Sequence, residues 1–396
     1  VAGIGGGHRL RRVWRGAAAW VLTLAVARVV VAQPERCGVV TPDRLDTAVE
    51  ETIGWASRMQ GDDGRWIYRY DADADADLEI YEHVRHAGLT MSLYQAAVAG
   101  HAGALATAGR GEAYLRQFLV DRDGWTAVAP AVDGVRYDIG ATALFASALL
   151  MKRDVVASPD DDALLGRLGR FLVANTMPDG SVTAAWDPIA GGPVAGSSSP
   201  FFTGEALWAL ARLETAFPGE WRDPALRIAR YIATARDDAE GRWPDVPDHW
   251  ASYAFAEMAR WPGPTALDPD MLRHARRIAE LEALSIRYES QRTGSAFSRL
   301  TRGPVALPAG LGTLGEALGS LAHVPGLAGD PDVRRRARCV AGVLLDRQID
   351  SAEAQRYPNP ARVQGAWLRH GVTQIDDQQH AMSALLLVRD LEETDR

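Results

Sequence analysis

The sequence predicts an all-α chain in which six helical hairpins, each an inner and an outer helix, close into an (α/α)6 toroid. Three observations carry that expectation. A turn followed by an apolar helix returns six times, at roughly 50–65-residue spacing, from about residue 40 to the C-terminus. Ala- and Leu-rich helices, apolar on nearly every face, alternate with Arg-rich amphipathic ones, as an inner and an outer ring would. Six repeats suffice to close, and neither end carries an obvious capping repeat, which sets closure above an open solenoid of hairpins.

The elements follow in order. Arg9, Arg11, Arg12 and Arg15 precede an apolar stretch from Gly16 to Ala32, interrupted by Arg28. Residues 1–32 read as a signal peptide, with Val30 and Ala32 as small residues ahead of a cut before Gln33. An uncleaved membrane anchor is the alternative, and Arg28 weighs against spanning. Either way the single domain over residues 33–396 is expected outside the cytoplasm, touching a membrane only through the N-terminal segment where that is uncleaved. Thr41-Pro42 reads as an N-cap with Pro at the first helical position, opening a helix from Leu45 to Met59.

The turns are Gln60 to Trp66, Asp121 to Trp125, Met177 to Ser181 and Ala239 to Trp243, with weaker versions at Gly294 to Phe297 and Gly365 to Trp367. Inner helices are expected over Ala87 to Ala99, Ile139 to Met151, Ala206 to Phe217 and Ala251 to Ala259, with fifth and sixth starts near Thr313 and Asp377. Outer ones are expected over Ala163 to Ala174, Pro224 to Thr234 and Met271 to Leu284. Trp66 to Tyr70 reads as part of a small hairpin or loop, and Gly191 to Pro200 as a loop able to overhang a pocket.

Composition narrows the function. Of 396 residues, 47% are hydrophobic, enough for a large core, and the net charge of −8 offers no basic footprint for nucleic acid. Lys152 is the only lysine, which excludes Schiff-base chemistry elsewhere. Cys37 and Cys339 are too few for a Cys-rich zinc site, and they pair only if the fold brings them together. No His-Glu-x-x-His, phosphate loop, dinucleotide fingerprint or nucleophile elbow is present.

In a closed toroid the inner helices run parallel, so their N-termini share one mouth, rich in backbone donors and partial positive charge. The residues near those starts are the candidate site. Asp138 and Asp377 are the first choice for a carboxylate pair, with Glu205 and Asp376 in reserve. His249 and His380 fall in register with the mouth and are the acid–base candidates. Arg85, His86, Tyr81, Tyr137, Asp248 and Glu316 are substrate-binding candidates, with Phe202 and Trp250 as flat surfaces for sugar rings. Plainer roles stand beside these. Asp138, Asp248 and Asp377 suit N-caps, Glu205 and Glu316 suit the helix dipole, and Arg85 suits an ion pair. Asp71, Asp73, Asp75, Asp77 and Glu82 follow the spacing of a calcium-binding EF-hand loop, but Ala76 stands where the sharp turn wants Gly. The other reading is a solvated acidic loop, and no other cofactor is expected.

The turn Gln60-x-x-x-Gly64-x-Trp66 resembles the repeats of terpenoid-cyclase and prenyltransferase toroids. The alternation of helices resembles the six-hairpin glycosidases and the N-acylglucosamine 2-epimerases. Terpenoid cyclases carry an Asp-x-Asp-Asp acid motif; here Gln374 replaces the first Asp before Ile375-Asp376-Asp377. The epimerases place an Arg on the first inner helix and His on the fourth and sixth, and Arg85, His249 and His380 match by position. The resemblance implies an exported carbohydrate-active enzyme, with glycoside hydrolysis of a poly- or oligosaccharide as the leading expectation. Epimerisation or lysis through His249 and His380 comes second, a non-catalytic glycan- or peptide-binding toroid third, and terpenoid cyclisation fourth.

Overall fold

The computed structural model describes residues 6–30, 33–130, 136–241, 248–262 and 267–394. Ala32 of the expected cleavage site and Trp243 of the fourth turn lie outside the described residues. Contacts divide the chain into two compact units, Val1–Arg36 with Arg287–Val305, and Cys37–Ile286 with Ala306–Arg396. The first contains helix α1 (Gly6–Val30). Among the described residues, no helix is long and apolar enough to cross a membrane.

The second unit is the toroid. Its outer and inner helices alternate: α2 (Pro42–Arg58) and α3 (His83–Val98), α4 (Ala104–Arg116) and α5 (Ile139–Arg153), α6 (Pro159–Ala174) and α7 (Phe202–Ala216). The order continues with α8 (Arg222–Thr234), a short α9 (Arg236–Glu240), and α10 (His249–Met258). After α11 (Pro269–Glu289) and a short α12 (Ala296–Arg302), which belongs to the first unit, come α13 (Pro308–Leu321), α14 (Pro331–Leu345), a short α15 (Ser351–Ala354) and α16 (Ile375–Thr394). The inner helices α3, α5, α7, α10, α13 and α16 each pack on the next, and α16 returns to α3, so the ring closes. Outer helices α4, α6, α8, α14 and α2 pack against α3, α5, α7, α13 and α16.

Local sequence explains the two rings. Several outer helices open on a cap followed by Pro: Thr41 Oγ1 accepts from Arg44 N, Ser158 Oγ from Asp161 N and Asp330 from Asp332 N. They bury one stripe, as α8 does with Ala225, Ile228, Ala229 and Ile232. Inner helices are apolar all round; every residue of α5 from Ile139 to Met151 is buried. Several inner helices begin earlier than expected. α13 starts at Pro308, which pre-sets the first helical turn, so Thr313 falls in the second turn and Glu316 deeper still.

The remaining chain forms short strands before the inner helices. β1 (Arg69–Asp71) pairs antiparallel with β2 (Ala76–Asp77) on one side, and with β8 (Val372–Gln374) on the other. Tyr70 opposes Asp77 and Thr373, so a strand preceding α16 is laced to one preceding α3, and backbone pairing repeats the closure made by the helices. β3 (Leu119–Arg122) and β4 (Trp125–Val128) form a hairpin, and β5 (Tyr137–Asp138), β6 (Ala185–Asp187) and β7 (Gly192–Pro193) a small sheet. Cys37 and Cys339, 302 residues apart, form a disulfide with Cα atoms 4.7 Å apart, fastening the segment before α2 to α14.

The acidic stretch is a hairpin turn, which replaces the calcium-loop reading. Asp71 Oδ1 accepts from the amides of Asp73 and Ala74 (3.0 and 2.9 Å), and Asp77 Oδ1 from Glu79 N (2.8 Å). Asp75 takes the Tyr70 hydroxyl, and Glu82 takes Arg85. These carboxylates shape the turn, and among the described residues they form no converging ligand set.

Candidate active site

The inner-helix starts enclose a cavity of about 380 Å³. Its wall includes Arg85, Phe202, Glu205, His249, Trp250, Asp376 and His380, together with Glu82, Phe201, Gln379 and others. Seven residues expected as catalytic or binding candidates therefore share one chamber.

His249 is the first residue of α10 and is held there by its neighbour. Asp248 caps the helix, accepting from Trp250 N (3.1 Å) and Ala251 N (3.3 Å), and is ion-paired with Arg236 at 2.5 Å. Asp248 is thus a clamp behind the site, and it does not line the cavity. Both His249 ring nitrogens are buried without a hydrogen-bond partner. Burial drives its pKa well below the ordinary value, and the charge of His380 adds to this, so His249 is a neutral imidazole.

His380, on α16, meets the opposite fate. Its Nδ1 donates to Glu316 Oε2 at 2.6 Å, and its Nε2 lies 3.7 Å from Asp376 Oδ1. Burial alone would lower its pKa, but Glu316 and then the acidic pair Asp376 and Asp377 outweigh that and raise it to about 9. At neutral pH His380 is an imidazolium. Glu316 is fully buried in the third turn of α13, and its other oxygen accepts from the Tyr253 hydroxyl at 3.1 Å. It acts behind His380, not on the cavity wall.

Arg85 is held from both sides. Its Nη1 donates to Glu82 and to the Tyr68 hydroxyl (2.9 Å), and its Nε lies 3.1 Å from Asp376 Oδ1. Glu205, in the first turn of α7, is buried, and Oε2 has no hydrogen-bond partner. Burial, then the charge of Asp248, lifts its pKa to about 8, so it carries a proton at neutral pH. Trp250 is stacked on Trp208 at 5.4 Å between centroids and shows an edge to the cavity.

Two glycines make room for these side chains. A Cβ on Gly140 would stand 2.4 Å from Glu205 Oε2 and 2.5 Å from the Phe202 ring. One on Gly312 would stand 2.4 Å from the His380 backbone. Each inner helix here leaves a gap in its first turns that a neighbour fills.

Other expected residues go elsewhere. His86 accepts from the Tyr81 hydroxyl and donates to the Gly111 carbonyl (2.8 Å), and burial lowers its pKa to about 3. One helical step from Arg85 rotates it about 100°, turning it away from the cavity. His86 and Tyr81 are packing residues between α3 and α4. Tyr137 is buried opposite Trp186 in the small sheet. Asp138 stands at the N-cap of α5 without capping it, and Asp377 Oδ1 accepts from Ala309 N on the next inner helix (2.8 Å). Neither carboxylate of the first-choice pair lines the cavity. Tyr68 and Tyr253 were not foreseen; nothing in local spacing marks them, since each reaches the site through a partner's charge.

His249, Glu316 and His380 also offer ligand atoms all within 4.8 Å of one another. Two ligands on one zinc ion at tetrahedral angles stand about 3.3 Å apart. The 2.6 Å contact of His380 with Glu316 is a hydrogen bond, so the trio as it stands is organised around a proton.

Comparison with solved structures gives the class. The chain is similar to a cellobiose 2-epimerase from Spirochaeta thermophila, with a TM-score of 0.64 and 13% identity over 90% of this chain and 97% of that one. It is similar to a D-mannose isomerase (TM-score 0.59, 14% identity, 88% and 97% covered). A glycoside hydrolase family 76 mannosidase from Bacteroides thetaiotaomicron also matches (TM-score 0.60, 12% identity, 90% and 99% covered). No family model and no curated protein matches the sequence. The protein is a six-hairpin (α/α)6 toroid, and at these identities the likeness is one of fold.

Proposed function

We propose that this protein is a carbohydrate-active enzyme that moves a proton at a carbon next to a sugar carbonyl, as an epimerase or aldose–ketose isomerase does. The observation that carries this reading is the pairing of a neutral His249, with both nitrogens free, and a cationic His380, with ring centroids 5.0 Å apart on one cavity wall. His249 removes the proton from carbon, and the electron pair moves onto the carbonyl oxygen. Glu205 and Arg85 donate hydrogen bonds to the developing oxyanion, and His380 then delivers its proton to carbon as the electron pair returns from oxygen and the carbonyl re-forms. The fold-level likeness to an epimerase and an isomerase supports the class.

Arg85 is already engaged by Glu82 and Asp376, which favours a neutral sugar over an acidic one. Work outside the cytoplasm is part of the same reading, supported by the arginine-rich apolar leader and the Cys37–Cys339 disulfide.

Glycoside hydrolysis is the second reading. It is favoured by protonated Glu205 and by Asp376, an acid and a carboxylate on the same wall. Incubation with reducing sugars and with oligosaccharides in D2O, followed by NMR, separates the two. Proton transfer puts deuterium on carbon, whereas hydrolysis releases new reducing ends with none. Deuterium-free products would sink the first reading.

A further inference from the structure

The first unit has a charge opposite to that of the rest of the chain. Residues 1–36 and 287–305 hold ten arginines and two glutamates, a net charge of +8; the whole chain carries −8, which leaves −16 on the remainder. Helix α12 lies within this basic unit. It turns Ser298 and Arg302 inward, while Phe297 and Leu300, three residues apart and so on one face, point out. Leu300 is 86% exposed, more than any other large apolar side chain among the described residues, and Phe297 is 54% exposed. Exposed Arg299 lies between them in sequence.

This display is held in place. Ser295 Oγ caps Ser298 N at 3.1 Å, Thr293 N donates to Ser298 Oγ at 3.0 Å, and Arg292 Nε donates to the Arg302 carbonyl at 2.7 Å. The guanidinium groups of Arg292 and Arg302 lie 5.0 and 5.3 Å from the Tyr288 ring centroid. The same segment is bonded to the residues that follow the leader. Gln291 Nε2 donates to the Gln33 carbonyl at 2.9 Å, and Arg287 lies 3.9 Å from Glu35. Within this unit α1 presents its own exposed apolar run, including Trp14, Trp20, Leu22 and Leu24.

We infer that, in the chain that keeps its N-terminal leader, α12 is a membrane-docking element that rests on an anionic phospholipid bilayer. Phe297 and Leu300 enter the boundary between headgroups and acyl chains, and exposed Arg299 between them faces lipid phosphates. Exposed apolar side chains alone are ordinary on a protein surface. Here they stand in a strongly basic unit, continuous with an arginine-flanked apolar helix, and an anionic bilayer accepts both features at once. The inference is independent of the sugar chemistry, which belongs to the other unit.

The test uses the full chain, whose two cysteines are disulfide-bonded. Leu300→Cys labelled with an environment-sensitive fluorophore reports on α12, and Ala18→Cys labelled likewise reports on the leader. On vesicles of phosphatidylcholine with phosphatidylglycerol, the label at 300 shifts to the blue and is quenched by spin labels carried on the lipids. Adding Phe297→Ser and Arg299→Glu to Leu300→Cys reduces both effects while the signal at 18 persists. A label at 300 that stays in water overturns the proposal, whether or not the leader inserts. So does an equal blue shift with heparin, which would mark a general polyanion site.

Discussion

His249 and His380 meet edge to face, their ring centroids 5.0 Å apart, yet they are driven to opposite charge states. Glu316 makes the difference. Its Oε2 lies 2.6 Å from His380 Nδ1 and 3.7 Å from His249 Nε2, so only His380 shares a hydrogen-bonded proton with it. The resulting imidazolium then disfavours a second charge on His249, which burial already opposes. One buried carboxylate thereby turns two like side chains into an acid and a base.

Removing either histidine is expected to cost turnover on the order of 10²–10⁴-fold, the usual worth of a positioned acid or base. His249→Ala and His380→Ala should both show this in kcat/KM for a reducing sugar. Asp138→Asn and Asp377→Asn, whose carboxylates do not line the cavity, should cost far less. A large loss in the aspartate variants with active histidine variants would reverse the assignment and return the carboxylate pair to the chemistry.

The pH profile follows from the same pair. His380 and Glu205 must both be protonated and are held at about 9 and about 8, so kcat/KM is expected to fall in two steps as pH rises through those values. Glu316→Gln removes the main cause of the elevation and leaves burial, which lowers the pKa, acting against Asp376 and Asp377 alone. The alkaline limb of the variant should therefore move to lower pH. An unmoved limb would show that Glu316 merely fills space.

The repeat was legible because an inner helix must be apolar all round and an outer one striped, and both patterns survive in the sequence. Arg85, His249 and His380 were legible as well, because register places the first turns of inner helices at one mouth. The carboxylates were harder. An aspartate at a helix start looks the same whether it faces the cavity or, like Asp377, reaches to Ala309 N on the neighbouring helix. Glu316 was misjudged in depth, because Pro308 begins α13 earlier than the Thr313 start implied. Five residues further along the helix than Glu205 in α7, it sits roughly 8 Å deeper. Helical rotation turned His86 into the core. The contact of Cys37 with Cys339 depends on closure of the whole ring, which no local pattern encodes.

The disulfide is expected to contribute heavily to stability. It spans 302 residues, and a loop of that length corresponds to about 6 kcal/mol of lost chain entropy in the unfolded state. Cys37→Ser, or reduction of the parent, should lower the urea midpoint without changing the cavity chemistry. Identical midpoints with and without reductant would mean that the packing around α14 holds the N-terminal segment unaided.

Glu205 couples the site to stability in a direction that can be worked out. Its pKa rises from 4.5 to about 8 on folding, through burial first and the charge of Asp248 second. Between those values the folded chain binds more protons at this residue than the unfolded chain does. Its contribution therefore weakens as pH rises through that window and is level outside it. Gln never ionises, so Glu205→Gln should stabilise the protein at about pH 8, with a ceiling on the order of 5 kcal/mol, and change little at about pH 4. The comparison must be variant against parent at each pH, because buried Glu282, also lifted to about 8, gives both proteins a similar slope of its own. Urea unfolding at the two pH values is the measurement, and the same variant should lose activity, since an amide replaces the acid aimed at the substrate. Equal stability differences at both pH values would mean that Glu205 is ionised in the folded state and that the cavity is wetter and more polar than its lining implies.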